Sequence, residues 1–252
     1  MIDVRKLVFS YDDGPPALDG IDLHVGDDET LALMGPNGAG KTTLLKCIAG
    51  LYEPDAGAVD IAGDAVGFAP ENPDDGLFAE SVAKEVAFFP KNRELDVATR
   101  VEAALAEMDV EPLRERVPQT LSAGEKRRVS LAAVLAGNPA VVALDEPTSG
   151  LDSHHVDALG NSIGRLDRTV VLATHDADFA MHHADRVAIV DDGRIAQTGA
   201  VSDILADPAF DFEAVGIRPP GAIRFARGRG WDDPALTVTA AAARLDAEER
   251  ED

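Results

Sequence analysis

Residues Gly35-Pro36-Asn37-Gly38-Ala39-Gly40-Lys41-Thr42-Thr43 fit the pattern G-x-x-x-x-G-K-[ST] and follow a short apolar run, Thr30–Met34. No other stretch constrains the fold so tightly. The run suits a buried strand feeding a turn. A helix from Lys41 to about Ala49 should follow and stop at Gly50. The glycines let the backbone fold sharply and aim successive N–H groups at phosphate oxygens. The helix start adds its positive dipole end. Lys41 is expected at the β- and γ-phosphates of a nucleotide, and Thr42 is expected to give a hydroxyl to Mg²⁺.

Val141-Val142-Ala143-Leu144-Asp145-Glu146 places two carboxylates at the end of a second apolar strand. Strand ends beside a phosphate loop are where such sheets bind ligand. Asp145 is the expected Mg²⁺ ligand, direct or one layer removed. Glu146 is the expected general base, polarising the water that attacks the γ-phosphorus. Elsewhere an Asp-Glu before Pro147 would be a solvated turn; beside the phosphate loop it is not. Leu121-Ser122-Ala123-Gly124-Glu125 lies between these two features. A second glycine-bearing turn at a helix start, ahead of the acidic strand, suggests two chains closing face to face over ATP.

Composition narrows the class. The chain has 252 residues, 45% hydrophobic, which is enough for a sizeable core and one domain of moderate size. No apolar run approaches the roughly 20 residues needed to span a bilayer. The N-terminus shows no basic start followed by an apolar stretch, so no signal peptide is expected. A single cysteine, Cys47, excludes an intrachain disulfide framework, fits a reducing cytoplasm and is expected as a small buried residue. The net charge of −23 fits a solvated acidic shell on a folded protein, with a salt-rich cytoplasm as one setting. It also argues against nucleic acid as a partner. Arg224, Arg227 and Arg229 form the one candidate basic stripe and are expected to be a basic loop.

Strand signals recur at Ile2–Phe9, Ile21–Val25, Val59–Ile61, Val66–Phe68, Ala140–Leu144, Thr169–Ala173 and Val187–Val190. Val59–Ile61 and Val66–Phe68 look like a pair joined across Gly63-Asp64. Asp192-Gly193 predicts a hairpin turn into Arg194–Gln197. From Ser81 to Leu135 the pattern is helical, with Val101, Leu105 and Met108 on one face. A final helix is expected from Pro234 to Glu249. Strand–helix alternation implies an α/β core with parallel strands, and the helical middle an inserted subdomain.

Together these motifs resemble the ATP-binding cassette family over about residues 1–205. Leu121–Glu125 resembles its signature loop, with Ala123 and Glu125 where Gly and Gln are commonest. Ser149-Gly150-Leu151-Asp152 is similar to the D-loop, His175 after Val170–Ala173 to the switch histidine, and Tyr11 to the aromatic that stacks on adenine. The resemblance implies a RecA-like P-loop core with an N-terminal antiparallel β subdomain and an inserted α-helical subdomain. Its boundaries would be 1–80 and 138–207 for the core, 81–137 for the helical part, and 208–252 for a C-terminal extension. It implies ATP and Mg²⁺ as cofactors and two ATP-binding subunits meeting head to tail, as a homodimer or with a related chain. Ser122, Ala123, Gly124 and Glu125 of one would then reach the γ-phosphate held by the other. His175 would hydrogen-bond that phosphate, and Asp152 would couple the two sites. Glu71 stands where the family carries a glutamine that contacts Mg²⁺. A carboxylate can still take a Mg²⁺ position, though when ionised it cannot donate a hydrogen bond.

Glu71-Asn72-Pro73-Asp74-Asp75-Gly76-Leu77-Phe78, with Glu85-Val86-Ala87-Phe88 after it, resembles the energy-coupling factor ATPases. These power uptake of vitamins, or of cobalt and nickel ions, of which the metals are the favoured cargo. That resemblance implies an integral-membrane T subunit, a substrate-capture membrane subunit, and a peripheral position on the cytoplasmic face of the membrane. Arg-bearing helices of the T subunit would meet Asp74, Asp75, Glu80 and Glu85, with Phe78, Phe88 and Phe89 lining the groove. A soluble mechanical ATPase of the same fold, or the ATPase of another class of ATP-binding cassette transporter, is the first rival. A small-molecule phosphotransferase is the second, and it leaves residues 121–125, 149–152 and 175 without a role. His154-His155 and His182-His183 are expected as surface histidines, since neighbours on a helix face different ways.

Overall fold

The computed structural model describes residues 1–252 except 13, 64, 206, 208, 232–237 and 252, and the side chains of 154, 238 and 247–251 also lie outside the description. The first strands are β1 (Ile2–Ser10), β2 (Pro16–Val25) and β3 (Thr30–Met34), followed by α1 (Lys41–Ile48), β4 (Ala56–Ile61) and β5 (Val66–Ala69). A helical stretch follows, with α2 (Val82–Val86), α3 (Phe88–Asn92), α4 (Val97–Glu107) and α5 (Ala123–Ala136). Then come β6 (Val141–Asp145), α6 (Ser153–Ile163), β7 (Thr169–Ala173), α7 (Ala177–His183), β8 (Arg186–Asp191) and β9 (Arg194–Ala200). The C-terminal part carries α8 (Val201–Leu205), α9 (Gly221–Gly228) and α10 (Val238–Glu251).

Two sheets organise these elements. One is antiparallel, in the order β2-β1-β4; the other runs β5-β6-β7-β3-β8-β9. In the larger sheet β5 through β8 are parallel and only β9 is antiparallel, joined to β8 by the Asp192-Gly193 turn. Both turn residues have positive φ, 44° and 73°, as a two-residue hairpin with right-handed strand twist demands.

The parallel strands are buried on both faces, which explains their unbroken apolar runs. Alternate residues feed two cores. Leu31, Leu33, Val141, Ala143 and Val171 pack with α1 and the antiparallel sheet. Ala32, Met34, Val142, Leu144 and Leu172 pack with Val101, Leu105, Val129 and the helices of the other side. Cys47 is buried on α1, and burial, with Asp55, pushes its thiol up to about 11, so it is an unreactive packing group.

Three expectations require correction. β4 and β5 are not a pair: β4 joins β1 with Ile61 opposite Ile2, whereas β5 joins β6 with Val66 opposite Val141. Two such short strands bury too little apolar surface to stand as a free hairpin, so each completes a neighbouring sheet. The basic cluster is not a loop: Arg224 and Arg227 lie on α9 and Arg229 at its C-cap, with Arg227 over the Phe212 ring at 5.3 Å. Finally, His183 is half-buried against the Phe179 ring, whereas His182 is exposed. The expected C-terminal helix falls partly on residues outside the description; α10 begins at Val238.

Candidate active site

The carboxyl ends of β3, β6 and β7 lie side by side in the sheet, in the order β6-β7-β3. Whatever follows each strand is therefore delivered to one edge. After β3 comes the glycine loop, after β6 Glu146, and after β7 Thr174 and His175. A cavity of about 490 Å³ opens there, lined by Tyr11, Ala17, Asn37, Gly38, Gly40, Lys41, Thr42, Thr43, Glu71, Glu146 and His175.

The loop has its shape because two positions admit only glycine. Gly35 has φ 142°, and a Cβ there would lie 2.0 Å from the Val190 carbonyl oxygen. Gly40 has φ 106° and is the N-cap of α1; a Cβ there would meet the Ala17 carbonyl oxygen at 2.8 Å. Between them the chain closes with Ala39 N–H donating to the Pro36 carbonyl at 3.2 Å. Lys41 Nζ donates to the carbonyls of Gly35 (2.8 Å) and Pro36 (2.9 Å), which hold the ammonium inside the loop. Burial lowers its pKa, while Glu146 and Asp145 act to raise it.

The acidic side is equally ordered. Thr42 Oγ1 donates to Asp145 Oδ1 at 2.9 Å. Asp145 is buried, and desolvation, reinforced by Glu71 and Glu146, raises its pKa against the Thr42 hydrogen bond. Glu146 has a positive φ of 41°, unusual for a residue with a side chain. Strain of this kind, of order 1–3 kcal/mol, persists where the surroundings over-determine the backbone. Here its N–H is bonded to the Ala173 carbonyl at 2.8 Å, and its Oε2 lies 3.0 Å from His175 Nδ1. The His175 side chain is 66% exposed against 12% for Glu146, so the imidazole caps a carboxylate that faces the cavity from below. Tyr11 is about half exposed; its hydroxyl lies 2.8 Å from Thr43 Oγ1 and its ring meets Phe9 and Tyr52 edge-on.

Ser122, Ala123, Gly124, Glu125 and Asp152 are not in this cavity. Ser122 is the N-cap of α5, in a reciprocal capping box with Glu125. Its N–H and hydroxyl donate to Glu125 Oε2 at 2.7 and 2.8 Å, and the backbone bond leads the causes that hold the Glu125 carboxyl below its usual range. Asp152 caps α6, accepting from His155 N–H at 3.0 Å. One chain thus supplies the loop, the carboxylates and the imidazole, and carries the α5 N-terminus elsewhere on its surface.

One further correction concerns Glu85. Far from offering surface charge, it is 2% exposed and its Oε2 accepts from the N–H groups of Phe78 (2.8 Å) and Ala79 (2.7 Å). A buried carboxylate that accepts from two successive backbone N–H groups is a structural clamp on the 78–79 turn. Ala17 and Arg127, by contrast, carry no mark in the sequence. Ala17 reaches the cavity only through the placement of β2, and no local pattern signals it. Arg127 stands between Lys126 and Arg128, and nothing in that local run distinguishes the one that is buried.

The model of the ABC transporter family matches residues 18–149. The energy-coupling factor transporter ATP-binding protein EcfA of Methanoculleus marisnigri is 39% identical over 227 residues, 82% of this chain and 82% of that protein. The cobalt import ATP-binding protein CbiO of Rhodobacter capsulatus is 38% identical over 254 residues, covering 93% of this chain and 90% of that one. Among solved structures, cbiO1 of Clostridium perfringens, part of the ABC transporter complex cbiONQ, superposes with a TM-score of 0.75 at 31% identity, over 82% of this chain and 90% of that one.

Proposed function

This chain belongs to the ABC transporter family, and from that premise we propose that it is the ATP-hydrolysing subunit of an energy-coupling factor type importer. One observation carries the reading: the cavity gathers the phosphate loop, Glu146 and His175, while the α5 N-terminus stands outside it. That division suits two ATPase subunits that each complete the other's site.

The chemistry follows from the geometry. Loop N–H groups and the start of α1 receive the phosphates, Lys41 offsets β- and γ-phosphate charge, and Tyr11 offers a ring face to adenine. The site also suits Mg²⁺. Thr42, Asp145 and Glu71 present hard oxygen donors, and among the described residues no group of three or more acidic, His or Cys side chains forms a metal cage. An ion held by few protein ligands and by substrate phosphates fits that arrangement. Mg²⁺ would supply charge neutralisation on the phosphates. Glu146 takes the proton from the attacking water through the oxygen His175 leaves free, and His175 holds the γ-phosphate side. The α5 N-terminus of the second subunit, with its Ser122 hydroxyl, closes over the γ-phosphate, and Asp152 links the two sites.

The membrane subunits would dock beside the helical segment. Ala49, Leu51, Phe68, Phe89, Val134 and Pro139 line an apolar groove of about 340 Å³. Phe78, Phe88 and Phe89 stack edge-on next to it and are exposed. Asp74, Asp75 and Glu80 lie on the same segment, and charge pairing with arginines of a T subunit would fix orientation more than affinity. The cobalt import name of the CbiO relative supports cobalt as cargo, with nickel as the related ion, and in this reading the chain sits on the cytoplasmic face of the membrane. The test is co-purification with a T subunit and ATP-dependent metal uptake in proteoliposomes. Asp75→Lys should weaken that assembly and leave nucleotide binding intact; undiminished co-purification removes the docking assignment.

A further inference from the structure

One buried cation occupies the joint between the helical segment and the core. Arg127, in the second turn of α5, is 4% exposed. Its Nη1 donates to the Pro70 carbonyl at 2.6 Å; its Nη2 donates to the Glu71 carbonyl and, at 3.4 Å, to the Glu146 carbonyl. Its Nε has no hydrogen-bond partner among the described residues, and no carboxylate lies within ion-pair distance of it there. Glu71 and Glu146, whose carbonyls it grips, both line the nucleotide cavity. Next to it, Lys126 Nζ holds the same incoming segment through Asp74 at 2.7 Å.

An unpaired buried guanidinium is costly, and packing alone does not call for one. Burial lowers its pKa, and three carboxylates of the neighbouring site, Glu71, Asp145 and Glu146, act in the opposite sense by favouring its charged form. We propose that Arg127 is a positioning residue for ATP hydrolysis, whose planar fork sets the Glu71 and Glu146 turns against one another and whose charge offsets the carboxylate at 71. Lysine could supply the charge but not the fork, because an ammonium on a flexible stem cannot hold three carbonyls in a fixed plane. Placed on α5 just beyond the Ser122–Glu125 capping box, the same fork ties the attitude of that helix to the turn carrying the general base.

The proposal rests on the ATPase reading, and its test separates the two. The full chain is compared with Arg127→Lys, Arg127→Gln and Arg127→Gln/Glu71→Gln. Three quantities are followed: steady-state hydrolysis, the Mg²⁺ midpoint for binding a fluorescent ATP analogue, and the melting temperature. Arg127→Gln is expected to lower kcat about a hundredfold with little change in KM, the size of effect a small misplacement of reacting groups produces. It should also lower the Mg²⁺ midpoint, since the carboxylates are no longer offset. Adding Glu71→Gln should return the midpoint to the parental range and recover about tenfold in kcat. Arg127→Lys should keep the midpoint and lose kcat. An unmoved midpoint in Arg127→Gln, or a double variant no better than the single one, overturns the proposal. So does a loss of activity that follows melting temperature equally in the Lys and Gln variants. A parent chain that fails to hydrolyse ATP strikes the ATPase reading instead, and the Mg²⁺ midpoint still decides the role of Arg127.

Discussion

Replacing Ser122 by alanine separates a residue that supports a helix from one that serves a neighbour's active site. Within its own chain Ser122 does modest work. Its Oγ accepts from the Glu125 N–H at 3.4 Å, a long bond, and its hydroxyl donates to Glu125 Oε2 at 2.8 Å. The backbone N–H to Glu125 bond at 2.7 Å survives the substitution. Loss of an N-cap serine typically costs about 1 kcal/mol. A weak cap on a helix already anchored by Val129, Leu131, Val134 and Leu135 belongs at or below that figure. For a chain of this length about 1 kcal/mol corresponds to a fall of roughly 2–4 °C in melting temperature. Hydrolysis should suffer far more, because a donor aimed at the transferred phosphoryl group is removed, a loss of about a hundredfold or more. The two are measured together, by thermal unfolding and by steady-state phosphate release. Light scattering of Glu146→Gln with ATP then asks whether Ser122→Ala also weakens dimer closure. Ser122→Thr, which keeps a hydroxyl at the cap, should retain most of the rate. Hydrolysis at undiminished speed in Ser122→Ala would refute the shared-site mechanism, as would a Glu146→Gln chain that stays monomeric with ATP.

Glu146→Gln should lower the rate of hydrolysis by about 10²–10⁴-fold, the span expected on loss of a general base, while ATP binding persists; single-turnover assays and nucleotide retention check this. Asp145→Asn should abolish Mg²⁺-dependent hydrolysis and yet raise the melting temperature of the nucleotide-free chain near neutral pH. The sign follows from its raised pKa: the ionised carboxylate is penalised in the folded state above that pKa, and the penalty is relieved as pH falls through it towards the ordinary value of 3.8. The stability advantage of Asn over Asp should therefore shrink as the buffer is made acidic. A constant difference from neutral to acidic pH would show that folding does not raise the pKa of Asp145.

Local chemistry makes much of the site legible in the sequence. The loop from Gly35 to Thr43 is set by backbone conformations that only glycine tolerates at 35 and 40, so its shape is encoded residue by residue. The run Val141–Leu144 is apolar because both faces of β6 are covered, and Asp145 therefore stands at a strand end. The Asp192-Gly193 turn is similarly local. Other expectations failed where the outcome depended on distant partners. Val59–Ile61 and Val66–Phe68 carry the same strand signal whether they pair with each other or with β1 and β6. Glu85 looks like surface charge until the 78–79 turn brings two unpaired N–H groups to it.

What the sequence by itself determined is the set of chemical groups and the short-range geometry that presents them: a phosphate loop, a carboxylate pair at a strand end, and a helix start capped by Ser122 and Glu125. Those depend on neighbours within a few residues, where sterics and hydrogen bonding leave few choices. Only the tertiary structure decided which of them meet. The parallel order β6-β7-β3 brings Lys41, Glu146 and His175 to one cavity, and it leaves Ser122 on another part of the surface. It also buries Arg127 beneath Glu71 and Glu146, because the burial of a charge is fixed by what packs over it and not by the residues beside it in the chain.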